Sequence, residues 1–143
     1  MQIRDIMTPR VEVIYSEATL QEAAKKMSRL NVGLLPVCES DLLLGMITDR
    51  DITVRATAVG SDPNTTKVRD AMTPDVVYCF EDQDVNTAIQ LMDRRQIRRV
   101  LVVNRNKQLA GIVSLGDLAI ATRDQAQIGE TLESISEPAG FEY

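Results

Sequence analysis

Ile3-Arg4-Asp5-Ile6-Met7-Thr8-Pro9 returns 65 residues later as Val68-Arg69-Asp70-Ala71-Met72-Thr73-Pro74. At the same offset Val11 falls on Val76, Ala23 on Ala88, Met27 on Met92, Arg29 on Arg94 and Val37 on Val102. One inserted residue near Ala110 moves the register. Beyond it Gly45-Met46-Ile47-Thr48 meets Gly111-Ile112-Val113-Ser114, and Asp51 meets Asp117. Ordered matches along half a chain are the mark of an internal duplication, and they set the fold class before any single element is assigned.

Each copy reads as β-α-β-β-α. Proline restricts the residue before it, so Met-Thr-Pro ends a short leading segment. Val11 to Tyr15 and Val76 to Phe80 are rich in β-branched and aromatic residues and predict strands. Thr19-Leu20-Gln21-Glu22 has the form of a capping box, followed by Leu20, Ala23, Ala24, Met27 and Leu30 at helical spacing. Asp84 caps the corresponding helix, with Val85, Ala88, Ile89 and Met92 on its stripe. Buried strands are expected at 34–38 and 43–48, and at 100–103 and 109–114, with turn chemistry at Asp41 and at Asn104-Arg105-Asn106-Lys107. Second helices follow Thr48 and Ser114, the first stopping near Gly60. The division expected is a first unit at 1–60, a linker at 61–67, a second unit at 68–123 and a helical tail at 124–143. In that tail Ile128, Leu132 and Ile135 share a face, and Pro138 ends the helix.

Composition narrows the function. Hydrophobic residues are 44% of the 143 and aromatics only 3%, so the core is aliphatic and no aromatic platform for single-stranded nucleic acid exists. A net charge of −5 opposes phosphate-backbone binding, which disfavours nucleic acid as a partner. No apolar run is long enough to span a membrane, and Met1 to Asp5 lack the features of a secretory signal, so the expected location is the cytoplasm. Cys38 and Cys79 lie in apolar runs without metal-ligand spacing and read as buried thiols. With no histidine in the chain, the usual general bases, triads and zinc sites lose their commonest member. The expectation is a protein without catalytic residues, metal or required cofactor.

The repeats resemble a tandem pair of cystathionine-β-synthase (CBS) domains, the Bateman module, in its stand-alone form. The markers are Asp5-Ile6-Met7-Thr8-Pro9 and Asp70-Ala71-Met72-Thr73-Pro74, Leu34-Leu35-Pro36-Val37, and Gly45 to Asp51 with Gly111 to Asp117. Together they cover about residues 3–123. The resemblance implies a mixed α/β fold, two β-α-β-β-α units packed with pseudo-twofold symmetry, and clefts that take an adenosyl ligand such as AMP, ADP or ATP. Occupancy would be signalled to a separate effector protein.

Thr48-x-x-Asp51 and Ser114-x-x-Asp117 are the sharpest candidates. A hydroxyl at a strand end and a carboxylate one helical turn later can face the same point, and a carboxylate accepts both hydroxyls of a ribose. The same spacing is also that of a helix capping box, which needs no ligand. Arg98, Arg99 and Arg50 are the phosphate candidates. Strand alternation predicts that only one of Arg98 and Arg99 points inward. An adenine ring would lie in an aliphatic slot of Val11, Leu34 and Pro36, or of Val76, Val100 and Leu101. Because Gly33-Leu34 stands where the second copy has Arg98-Arg99, and Gly116 where the first has Arg50, two equivalent sites are not expected. The alternative is a structural or interaction module with empty clefts. A homodimer is expected from the apolar faces of the second helices, at Ile52, Val59, Leu118 and Ile120.

Overall fold

The computed structural model describes residues 1–137, a mixed α/β chain with two four-stranded sheets. Helix starts follow the capping residues. Thr19 Oγ1 accepts from the Glu22 N–H at 3.2 Å while the Glu22 carboxylate accepts from the Thr19 N–H at 3.1 Å, and α1 runs from Leu20 to Leu30. Asp84 accepts from the Asn86 N–H and opens α4, Val85–Arg95. Both helices end on a left-handed residue, Asn31 and Gln96, each at φ 55°.

In the first sheet β2 (Ile14–Tyr15) runs parallel to β3 (Leu34–Glu39), which pairs antiparallel with β4 (Leu42–Thr48), and β4 pairs with β5 (Thr73–Pro74). The second repeats this order with β6 (Tyr78–Phe80), β7 (Arg99–Val103), β8 (Leu109–Ser114) and β1 (Thr8–Pro9). Each parallel pair is joined by a helical crossover, as parallel pairing requires. The leading strands are shorter than the expected 11–15 and 76–80. In the first copy the Val13 carbonyl accepts from Lys26 Nζ at 2.6 Å instead of entering a ladder.

The compact units do not follow the repeat boundaries. One consists of Val11–Val76, the other of Met1–Arg10 with Val77–Tyr143. Ile3 is fully buried in a core with Val85, Ala88, Ile89, Met92, Val100 and Leu118, and its N–H donates to the Gln83 carbonyl at 2.9 Å. Val68 is likewise buried among Leu20, Ala23, Leu35 and Ile47, and donates to the Ala18 carbonyl at 2.8 Å. Each Met-Thr-Pro segment therefore completes the sheet of the other copy. Glycine makes this pairing possible. A Cβ on Gly111 would lie 2.6 Å from the Thr8 carbonyl oxygen, and one on Gly45 would strike the Thr73 carbonyl.

The second helices differ. In the first copy α2 (Asp49–Asp51) passes into a π-helical turn, Ile52–Ala56, and a 3-10 turn, Thr57–Val59, stopping at Gly60 with φ 79°. In the second, α5 is a plain helix, Leu115–Thr122. Leu118, expected on an uncovered face, is fully buried because its side of α5 lies against the core, whereas Val59 and Ile120 are 72% and 82% exposed. Between these regions α3 spans Val68–Ala71, and the tail forms α6, Gln125–Ser136. Pro138, expected to end that helix, lies outside the described residues.

Candidate functional site

Ser114 ends β8 and begins α5, and the chain there is held from three sides. The Ser114 N–H donates to Asp117 Oδ2 at 2.9 Å, the Asp117 N–H donates to Ser114 Oγ at 3.0 Å, and the Leu115 N–H donates to the Arg98 carbonyl at 2.9 Å. Ser114 is also the ladder partner of Arg99. These bonds fix the start of α5 beside the start of β7. A cavity of about 400 Å³ opens at that corner, lined by Arg98, Arg99, Ser114, Leu115, Gly116 and Ala119, and by Ile128 and Leu132 from α6. Both arginines reach it, although strand alternation favours one. Arg98 precedes the first residue of β7, so the pleat does not govern it.

The cavity's lining combines two arginines with aliphatic side chains. Among the described residues neither arginine has a carboxylate partner. Gly116, a first-turn residue of α5, has an N–H that no turn of the helix can satisfy, and first-turn donors favour anions. Two arginines, a serine and a helix start line a space large enough for a phosphorylated small molecule.

The corresponding corner of Val11–Val76 has the same backbone and the opposite chemistry. The Asp49 N–H donates to the Gly33 carbonyl at 3.0 Å, matching the bond between Leu115 and Arg98. The Asp49 carboxylate then folds back and accepts from the Arg50 N–H at 2.8 Å. It sits so near Gly33 that a Cβ there would be 3.0 Å from Asp49 Oδ2. The first copy thus fills its helix start with its own anion.

Thr48 and Asp51 form the same reciprocal capping box as Ser114 and Asp117, at 3.0 Å in each direction. Asp51 Oδ1 also faces Arg55 Nε at 3.7 Å, whereas Asp117 has no ion-pair partner among the described residues. Arg50 is exposed on α2. Val11, Leu34 and Val76 are half-buried and Pro36 is buried. Val100 is 1% exposed within the core, and Leu101, on the other face of β7, is 2% exposed. Neither lines the cavity, and nor do Val76 and Asp117. The wall from α6 escaped the sequence reading as a site. Its signal was the four-residue spacing of Ile128 and Leu132, which also describes ordinary packing.

Both cysteines are free and buried, and burial pushes the Cys79 thiol up to about 11 and raises Cys38 as well, with Asp41 adding to the shift. They are poor nucleophiles at neutral pH. Among the described residues no cluster of three or more acidic, cysteine or histidine side chains is placed to hold a metal, and no helix is long and apolar enough to cross a membrane.

The CBS-domain family model matches residues 3–56 and 68–124. A CBS domain-containing protein of Bacillus subtilis, YhcV, is 42% identical over 134 residues, covering 94% of each chain. A crystal structure of Hypoxic Response Protein I with two coordinated zinc ions superposes with a TM-score of 0.77 at 34% identity, over 85% of this chain and 98% of that one. The structure of CBSX2 in complex with AMP gives a TM-score of 0.74 at 24% identity, over 87% and 98% of the two chains.

Proposed function

The chain belongs to the CBS-domain family, and from that premise we propose that it is a regulatory binding protein for an adenosine phosphate, whose state is passed to an effector protein. The observation that carries the reading is the cavity where Arg98, Arg99 and the start of α5 meet with no carboxylate partner among the described residues. The phosphate would lie against the two guanidiniums and the Gly116 N–H. Ser114 on the cavity wall, and Asp117 beside the cavity and bonded to Ser114, would take the ribose, Asp117 through the oxygen its capping bond leaves uncommitted. AMP bound to a protein of the same fold supports this ligand class.

The first copy has Asp49 where the anion would sit, so Thr48, Asp51 and Arg50 form the weaker site in this reading. The aliphatic residues Val11, Leu34, Pro36, Val76, Val100 and Leu101 remain candidates for contact with the base. Val59 and Ile120, exposed and apolar, support self-association as a homodimer. One observation favours a second reading, an interaction module without a ligand: both carboxylates are fully explained as caps by their reciprocal bonds.

Calorimetric titration with AMP, ADP and ATP tests the proposal. One dominant site is expected, lost in the Arg98→Ala, Arg99→Ala double variant and retained in Arg50→Ala. Equal binding by wild type and the double variant would overturn the assignment.

A further inference from the structure

The family match ends at residue 124, yet the cavity has two residues from beyond it. Helix α6 is capped by Asp124, whose carboxylate accepts from the Gln127 N–H at 3.0 Å, and it lies along α4 and α5. One side is anchored: Ile128 and Ile135 pack on the core, and Thr131 is 3% exposed. Gln96 Nε2 donates to the Ser134 carbonyl at 3.0 Å, and Ser134 Oγ donates to the Asp93 carbonyl at 3.4 Å. The other side is unfinished. Leu132 remains 44% exposed and faces the arginine cavity, as does the flank of Ile128. The first copy has no counterpart, since Gly60 leads through a polar stretch to α3.

We propose that α6 is a working wall of the anion cavity, with Ile128 and Leu132 against the nucleoside part of the bound molecule. This rests on the reading of the cavity given under Proposed function. Contacts made only while α6 is docked require that ligand and docking strengthen each other by the same factor. Helix α6 is held by a few apolar side chains and two latch bonds, and an element with few buried contacts opens more readily than the core, so its docking equilibrium is within reach of a ligand. Occupancy is therefore read out as the docked fraction of α6, and the position that sets ligand preference lies outside the duplicated unit.

The test uses the full chain and AMP as probe. Hydrogen exchange of amides 125–136 is followed with and without AMP, and AMP affinity is measured for wild type, Leu132→Glu, Leu132→Gln, Glu133→Gln and the Arg98→Ala, Arg99→Ala variant. Leu132 is partly exposed, so its variants should fold, as far-UV circular dichroism would verify. In wild type AMP should slow α6 exchange severalfold. Leu132→Glu, placing a carboxylate beside the arginines, should weaken AMP at least tenfold, Leu132→Gln less, and Glu133→Gln not at all. If AMP binds through the arginines but Leu132→Glu binds like wild type and α6 exchange is unchanged, the role of α6 is overturned alone. If wild type does not bind AMP, the cavity reading falls and this inference with it.

Discussion

Asp49 and Leu115 hold the same place in the two copies and make opposite surfaces of it. The carboxylate closes one helix start, while leucine leaves the other to the solvent and the arginines. The sequence showed half of this contrast, in Gly33-Leu34 against Arg98-Arg99. It hid the rest because nothing in the order of residues says that Asp49 turns back on its own helix. The same ambiguity attaches to Asp51 and Asp117, which ligand-linked melting can resolve. AMP at a hundredfold excess over its dissociation constant stabilises the folded state by about 2.7 kcal/mol, or roughly 8–14 °C for a chain of this size. Both Asp51→Ala and Asp117→Ala should lose about 0.5–2 kcal/mol without ligand, as caps do. Asp117→Ala should also lose most of the nucleotide shift, and Asp51→Ala little of it. A full shift in Asp117→Ala would reduce that aspartate to a cap.

At the scale of elements, the periodicities and caps were legible, because a helix stripe and its first turn are local properties. Thr19, Asp84 and Gly60 stand as read. What local pattern could not show was which strand each Met-Thr-Pro segment joins, since that is decided by contacts distant in sequence, Thr8 with Ile112 and Thr73 with Met46. Gly111 reports on that contact. An added methyl must displace the Thr8 carbonyl and Met7 Sδ, which lie 2.6 and 2.8 Å from the Cβ position. Gly111→Ala should therefore destabilise by about 1–3 kcal/mol in urea unfolding, whereas Gly129→Ala, with open space around it, should not destabilise. Equal stability of the two variants would show that β1 yields easily.

For the whole molecule, the exchange of leading segments predicts where damage travels. Removing residues 2–9 takes Ile3 from the second core and β1 from β8. Amide protection in β7, β8 and α4 should fall, while β3, β4 and α1 keep theirs. Loss of protection confined to β3 and β4 would contradict the assignment of these residues to the second core. Light scattering at micromolar concentration should return twice the chain mass, and Ile120→Asp should lower it, because that residue is 82% exposed on a surface the fold itself does not cover.

The pairing of Thr8 with Ile112 also fixes an order of events on the ribosome. Every part of Val11–Val76 is contiguous, so that unit can close as soon as it has emerged. Met1–Arg10 is made before its partners, which come in order as Glu81 and Gln83, then α4, and last β8, an interval of roughly 4–20 s at ordinary elongation rates. Through that interval Ile3 is without the core that buries it in the folded chain. The corner bearing Arg98 and Arg99 also takes residues of α5 and α6, so it is completed only after β8 has been made.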